Sequence, residues 1–347
     1  MLIYWGMFST FAVGALGWKG GLDKKAGLAF RLAMIVVVLI VGLRWQIGPD
    51  WESYSDIYKS VARISFDNVI QGHDPAFFLV AWLLSSNGEP FWVLNFVMAA
   101  IFITGLTAFA RSLPNPWLAI TIAVPYLIIV VGMNLIRQAA AMGFVFLAFR
   151  YVGSKPLWKS IAWSLVATLF HASAIIATLL IIISYTKDRV AAFLLVLISA
   201  YPVYYVLFST IDEYLQRYSH QRIDSGGVYF RLIINAVPAV IFLIWRKSGI
   251  APPGEYALWR NLSLLSLCVL PLPLFIHSTT SIDRASMYAI PLQLLVLSAF
   301  PYMNRESGDR FGKTGALVLY SALTLVAYFS FGTHAHYFAP YQWIFAS

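Results

Sequence analysis

Charge is scarce in this chain: lysine, arginine, aspartate and glutamate make up 11% of its 347 residues, where soluble domains carry roughly 25%. With 60% of its residues hydrophobic, it holds more apolar surface than a water-soluble core can absorb, which excludes a soluble globular class. The one cysteine, Cys268, lies in an apolar run, which excludes an intrachain disulfide and a thiolate cluster. GxxxxGK[ST], HExxH, GxSxG and a clustered Cys/His set are all absent, so phosphate-loop, zinc-peptidase and serine-hydrolase chemistry are set aside. His334 and His336 stand two apart without a third ligand, and no metal or other cofactor is expected. The net charge of +9 is scattered over short connections, so it reads as a topology signal and not as a nucleic-acid face. Residues 1–17 lack a basic n-region and a small-residue cleavage site and read as a retained first helix.

What is present is a succession of apolar runs, at about 1–17, 28–43, 91–110, 117–133, 135–151, 158–186, 189–209, 229–245, 257–276, 285–301 and 314–331. Their lengths suit helices crossing roughly 30 Å of hydrocarbon. The expected fold is all-α: a polytopic integral membrane protein with about 11–13 transmembrane or partly spanning helices. Without a linker or a strong internal repeat, residues 1–347 form one integral domain, with outer-face loops at about 44–90, 210–228 and 277–284.

Lysine and arginine in short loops set orientation. Lys19, Lys24 and Lys25 belong inside, which puts 44–74, with Asp50, Glu52, Asp56, Asp67 and Asp74, outside. Arg305, Arg310 and Lys313 belong inside, as do Arg246, Lys247 and Arg260. Two arrangements reconcile these counts. In the preferred one, 158–186 is a hairpin or broken helix with its tip near His171 at the outer side, and 75–86 lies on the outer surface without crossing. In the other, 75–86 crosses and 158–186 spans once, leaving Arg150, Lys155 and Lys159 outside.

An ionisable side chain within the bilayer costs about 2.5–3.5 kcal/mol on insertion scales, so each one marks a candidate. Arg137, in GMNLIRQAAAMGF, is followed by Ala139, Ala140 and Ala141, small enough for a neighbouring helix to approach. It suits bidentate phosphate binding, or alternatively a snorkelling or structural arginine. His171, in VATLFHASAII, reads either as a core histidine or as a general base. HSTTSIDRASMY brings together His277, Asp283, Arg284 and Tyr288; Asp283 caps the helix or pairs with Arg284, or Arg284 is a second phosphate ligand. Loop 210–228, with Tyr214, Tyr218, His220, Arg217 and Arg222, suits sugar hydroxyls or an ordinary amphipathic surface helix.

RWQIGPDWESYSDIY, HDPAFFLVAWL, NLIRQAAAMGFVFLAF, LFHASAI, DRASMYAIP and PYQWIF, in that order, resemble the EpsG-like family of Wzy-type polysaccharide polymerases over nearly the whole chain. One departure is Asp74 before proline, where the family more often has glutamate. The resemblance implies a glycosyltransferase-C-like helical fold in the bacterial cytoplasmic (inner) membrane, active toward the periplasm or exterior. It implies transfer of a growing glycan from undecaprenyl diphosphate to the non-reducing end of a new lipid-linked repeat unit, as in O-antigen, capsule or exopolysaccharide synthesis. Donor and acceptor are then both undecaprenyl-diphosphate-linked oligosaccharides, with no nucleotide sugar or metal, and a chain-length regulator is the implied protein partner.

For that chemistry the outer-level arginines Arg137, Arg284 and Arg44 are assigned to the diphosphates. Asp50 and His171 are the candidate bases, with Glu52 and Asp283 behind them. Tyr54, Gln138, Tyr288 and His277 complete the substrate-binding set. Gly48-Pro49 supplies the turn between Arg44 and Asp50, and a structural Arg44–Asp50 pair is the alternative reading of that stretch. A flippase for the same lipid-linked glycan and a membrane acyltransferase with His171 as base are the rival functions.

Overall fold

A computed structural model describes residues 1–347 except 22–23, 154–155, 189, 196, 199–226, 246–248, 276–278, 304–308 and 346–347. His277, nearly all of loop 210–228 and part of the apolar run 189–209 therefore lie outside the described residues. The described chain is helical throughout, and its one extended pairing is an isolated antiparallel bridge between Arg44 and Trp343.

Among the described residues, six helices are long and apolar enough to cross a membrane. They are α2 (Lys24–Gly42), α6 (Phe91–Ala110), α7 (Pro116–Asn134), α12 (Tyr256–Val269, continued to Leu274), α13 (Thr279–Tyr302) and α14 (Arg310–Phe331). Shorter helices pack among them: α1 (Leu2–Leu16), α3 (Trp51–Val61), α4 (Phe66–Gln71), α5 (Pro75–Ser86), α8 (Ile136–Tyr151), α9 (Trp158–Phe170), α10 (Ile175–Tyr185) and α11 (Val228–Ile244). The stretch 44–90, expected as a loop, thus contains three helices, and 279–284 is the first part of α13.

Side-chain contacts fix which ends of the helices lie together. At one end Asn115 caps α7, accepting from Leu118 N at 3.1 Å and donating to Ala15 O at 3.2 Å. At the other end Asn134, which closes α7, meets Asp50, and the Tyr4 hydroxyl near the start of α1 donates to Phe338 O at 2.7 Å. The chain reverses at Leu135, so that Arg137 falls in the first turn of α8.

Helices α9 and α10 form a hairpin. Near the start of α9, Ser160 Oγ donates to Ala148 O at 2.5 Å, and at the end of α10 the Tyr185 hydroxyl donates to Gly254 O at 2.7 Å, beside Gly153. Both legs therefore reach the far end of α8, while the tip at His171 lies level with Arg137. The helix breaks at His171 because that residue is extended (φ −155°, ψ 118°). Helix α5, 12 residues long, spans about 18 Å, short of the hydrocarbon thickness. It begins beside the hairpin tip at Asp74, and near its end Ser85 Oγ donates to Tyr58 O at 2.8 Å. The hairpin has the shape expected in the first of the two arrangements.

Packing of α8 on α6 sets the rotation of the arginine helix. A Cβ on Gly105 would fall on the backbone of Gly143, and one on Gly143 would come within 2.7 Å of Ile101 O and 2.8 Å of Phe102 Cα. Such contact between backbones is the membrane use of small residues, where dispersion and not hydrophobic exclusion holds helices together.

Candidate active site

A cavity of about 1390 Å³ lies between α7, α11, α13 and α14, with the start of α3 and the segment after α14 closing its charged end. Among the described residues, the aspartates, arginines and histidine on its wall are Asp50, Arg137, Arg231, Asp283, Arg284 and His334.

The stretch RWQIGPD is seated by its glycine. Gly48 adopts φ +100°, and a Cβ there would press within 2.9 Å of Met133 O, so only glycine fits this turn against the end of α7. Asp50 follows, its N–H donating to Asn134 Oδ1 at 2.8 Å while Asn134 Nδ2 donates to Asp50 Oδ2 at 3.1 Å. Burial raises its carboxyl above the ordinary carboxylate range, although Arg284, Asn134, Arg137 and His334 pull the other way. A carboxylate with a raised pKa facing arginines across a cavity suits proton transfer. Glu52, two residues on, is exposed and does not line the cavity, because α3 turns it to the opposite face; it is removed as a reserve base.

Arg137 is held from outside the cavity. Its Nη1 donates to Asp74 Oδ2 at 3.0 Å, and its guanidinium lies 5.7 Å from the ring centroids of Tyr54 and Phe77. Asp74 also accepts from Ala172 N at 2.8 Å through Oδ1 and contacts His171 Nδ1 at 3.2 Å through Oδ2. Burial pushes the Asp74 carboxyl up, but His171, Arg137 and the Ala172 N–H outweigh it and hold it below the usual range. An ionised Asp74 needs a proton on Nδ1, and in the neutral imidazole Nε2 of His171 is then the acceptor. Asp74 is 4% exposed and takes a left-handed backbone (φ 54°), a conformation that aspartate tolerates better than most residues. It is the main site residue that the sequence reading passed over, and the clue to it was an acidic residue immediately before the proline that opens α5.

Tyr54, Leu135, Arg137, Gln138, His171 and Arg284 line a small crevice beside the main cavity. Gln138 Nε2 donates to Arg284 O at 2.8 Å, while its buried Oε1, facing the same crevice, has no hydrogen-bond partner among the described residues. His171 joins this crevice and the Asp74 cluster without reaching the main cavity, whereas Asp50 lines that cavity.

On the opposite wall, Arg231 Nε donates to Asp283 Oδ1 at 2.5 Å, with its guanidinium 5.8 Å from the Tyr126 ring centroid. One turn along α11, Asn235 Nδ2 donates to Ser286 O at 3.0 Å, so α11 and α13 are joined at both levels. Asp283 thus pairs with Arg231 and not with Arg284. Arg231 was missed because it sits near the start of an apolar run; an asparagine four residues later, on the same helix face, was the available signal.

Arg44 and Tyr288 are corrected. Arg44 is 2% exposed and does not line the cavity: it donates to Val41 O at 2.6 Å, closing α2, and to Asn95 Oδ1 at 3.3 Å, and lies 5.7 Å from the Trp51 ring centroid. It does not pair with Asp50, whose partner is Asn134. A cation capping a helix C-terminus is favoured by the macrodipole and needs no ligand to explain it. Tyr288 is 1% exposed, with its hydroxyl 2.9 Å from Ser173 Oγ, tying α13 to the hairpin.

Nothing matches among curated proteins or among solved structures. The model of the EpsG family, a Wzy-like polymerase family, matches residues 27–343. That span includes the cavity, the Asp74 cluster and the arginines of both walls, and on this ground the chain, a multi-pass membrane protein of polysaccharide-polymerase type, belongs to the EpsG family.

Proposed function

We propose that the protein polymerises lipid-linked oligosaccharide repeat units on the outer face of the cytoplasmic membrane. It transfers the growing glycan from undecaprenyl diphosphate to the non-reducing end of a new lipid-linked unit. The observation that carries this reading is one cavity whose charged end holds Arg137, Arg231 and Arg284 beside Asp50.

In the reaction, an acceptor hydroxyl attacks the anomeric carbon of the donor glycan. The new glycosidic bond forms as the bond from that carbon to the diphosphate oxygen breaks. Asp50 takes the hydroxyl proton, and the diphosphate leaves with the bonding electrons. Charge therefore grows on the leaving oxygen, and preorganised cations near that oxygen lower the barrier. Carboxylates fix the guanidinium planes of Arg137 and Arg231, so little reorganisation is needed when the charge develops. Arg231 takes the place first given to Arg44, so that the two diphosphates meet Arg137 with Arg284 on one side and Arg231 on the other. The position of Arg137 in the first turn of the 16-residue helix α8 adds a favourable helix dipole.

The outer-face assignment is supported by Arg111, Arg150, Lys159 and Arg260, all at the opposite end of the bundle. A rival flippase calls for a cationic path through the full membrane depth, whereas the arginines that line the cavity among the described residues gather at one end.

The test is incubation of purified protein with lipid-linked repeat unit alone. Lipid-linked glycan of increasing length is expected on gels, and absence of any longer product would overturn the reading.

A further inference from the structure

The cavity extends well below its charged end. Gln293 stands nine residues beyond Arg284 in α13, and Tyr320 eleven residues before Phe331 in α14. At 1.5 Å per residue these positions lie about 14–16 Å deeper along the helices. Both line the cavity, together with Ser321 and Thr324. Ser321 Oγ donates to Leu317 O at 3.0 Å and Thr324 Oγ1 to Tyr320 O at 2.9 Å, so each proton is used within the helix while the oxygen can still accept. The Tyr320 side chain lies close to Gln293 and Thr324. Ile122, Ala123 and Leu294 lie at the depth of these residues, and Val130, Ile290 and Ala327 line the walls between them and the charged end.

From these observations we infer that the floor formed by Gln293, Tyr320, Ser321 and Thr324 binds a sugar ring of the substrate glycan through its hydroxyls. The inference rests on the polymerase reading above and adds to it the place where the sugar is recognised. The floor carries no cation and so does not suit phosphate. A hydrocarbon chain would leave the remaining hydrogen-bonding capacity of the amide and the hydroxyls unused deep in the cavity, which favours a hydroxylated ligand over an acyl chain. A sugar hydroxyl both donates and accepts, as do the Gln293 amide and the Tyr320 hydroxyl, and the oxygens of Ser321 and Thr324 take further donors. A site built to hydrogen-bond hydroxyls rejects ligands that lack them, which makes this floor a determinant of which repeat unit is polymerised.

The test measures equilibrium binding of two probes to the full-length purified protein. One is labelled repeat-unit oligosaccharide released from its lipid carrier, and the other is undecaprenyl diphosphate. Gln293→Leu and Tyr320→Phe are each expected to weaken oligosaccharide binding about tenfold and to leave undecaprenyl diphosphate binding unchanged, while Arg137→Ala does the reverse. A purely structural role for the Gln293–Tyr320 contact would weaken both probes together, and that result overturns the inference. So does undiminished oligosaccharide binding in both variants, or no oligosaccharide binding by the parent protein. If the parent protein makes no polymer yet its oligosaccharide binding depends on Gln293, the polymerase reading fails and the sugar site stands.

Discussion

The two ends of the helical bundle both carry arginines and use them differently. At the end away from the cavity, Arg31, Arg111 and Arg150 lie close enough to repel: the Arg111 guanidinium is depressed by burial and by both neighbours. No carboxylate pairs with these three among the described residues. At the cavity end, Arg137 and Arg231 are each fixed by a carboxylate, Asp74 and Asp283. Solvent and lipid headgroups can screen exposed like charges, and such residues set topology. A partly buried cation needs an aligned carboxylate, and guanidiniums held in place by one are preorganised to meet an anion.

The largest effect is expected at Arg137. Arg137→Ala should lower chain lengthening at least about 100-fold while the protein still inserts to its normal level; unchanged polymer length in that variant would remove the assignment. Asp74→Asn should share much of that loss, with Asp74→Glu partly restoring it if the carboxylate acts by holding Arg137.

Asp50→Asn comes next, with about a 100-fold fall in rate as expected for loss of a general base. The sign of the pH dependence follows from the raised Asp50 pKa. The active form is ionised, so activity is lost as pH falls through a value above the ordinary carboxylate range. A rate profile flat down to the ordinary carboxylate range of about pH 4 would rule Asp50 out as base. A group whose folded pKa is raised also costs stability once it ionises. Asp50→Asn should therefore melt at a higher temperature than the parent at neutral pH, with the gain shrinking in acid.

Arg44→Ala should separate structure from binding, lowering the melting temperature in detergent with KM for the lipid-linked unit unchanged. A raised KM at normal stability would return Arg44 to the substrate site. The smallest effect is expected for Arg111→Gln, under about twofold in activity; a larger loss would mean that the far end does more than orient the chain.

Several of these features were legible before the structure. The arginine in NLIRQAAA, the small residues after it and the break at LFHASAI are local signals, and each lies where its pattern put it. Asp74 stands out in the sequence as the acidic residue before a proline in a family motif, but its role does not, because its partners stand 63 and 97 residues away. Arg231 and Gln293 were hidden by averaging, since one polar residue hardly alters the hydropathy of an apolar run. Arg44 was misassigned for the converse reason: a position at the edge of a span does not say which way its side chain points.

By itself the sequence determined that this is a polytopic helical membrane protein, because hydropathy adds up over neighbouring residues and needs no tertiary partner. Tertiary structure alone decided which arginines share a cavity, because that depends on how each helix is rotated about its axis. Here the rotation of α8 is set by backbone contact at Gly105 and Gly143, and that of α11 and α13 by the pairing of Arg231 with Asp283.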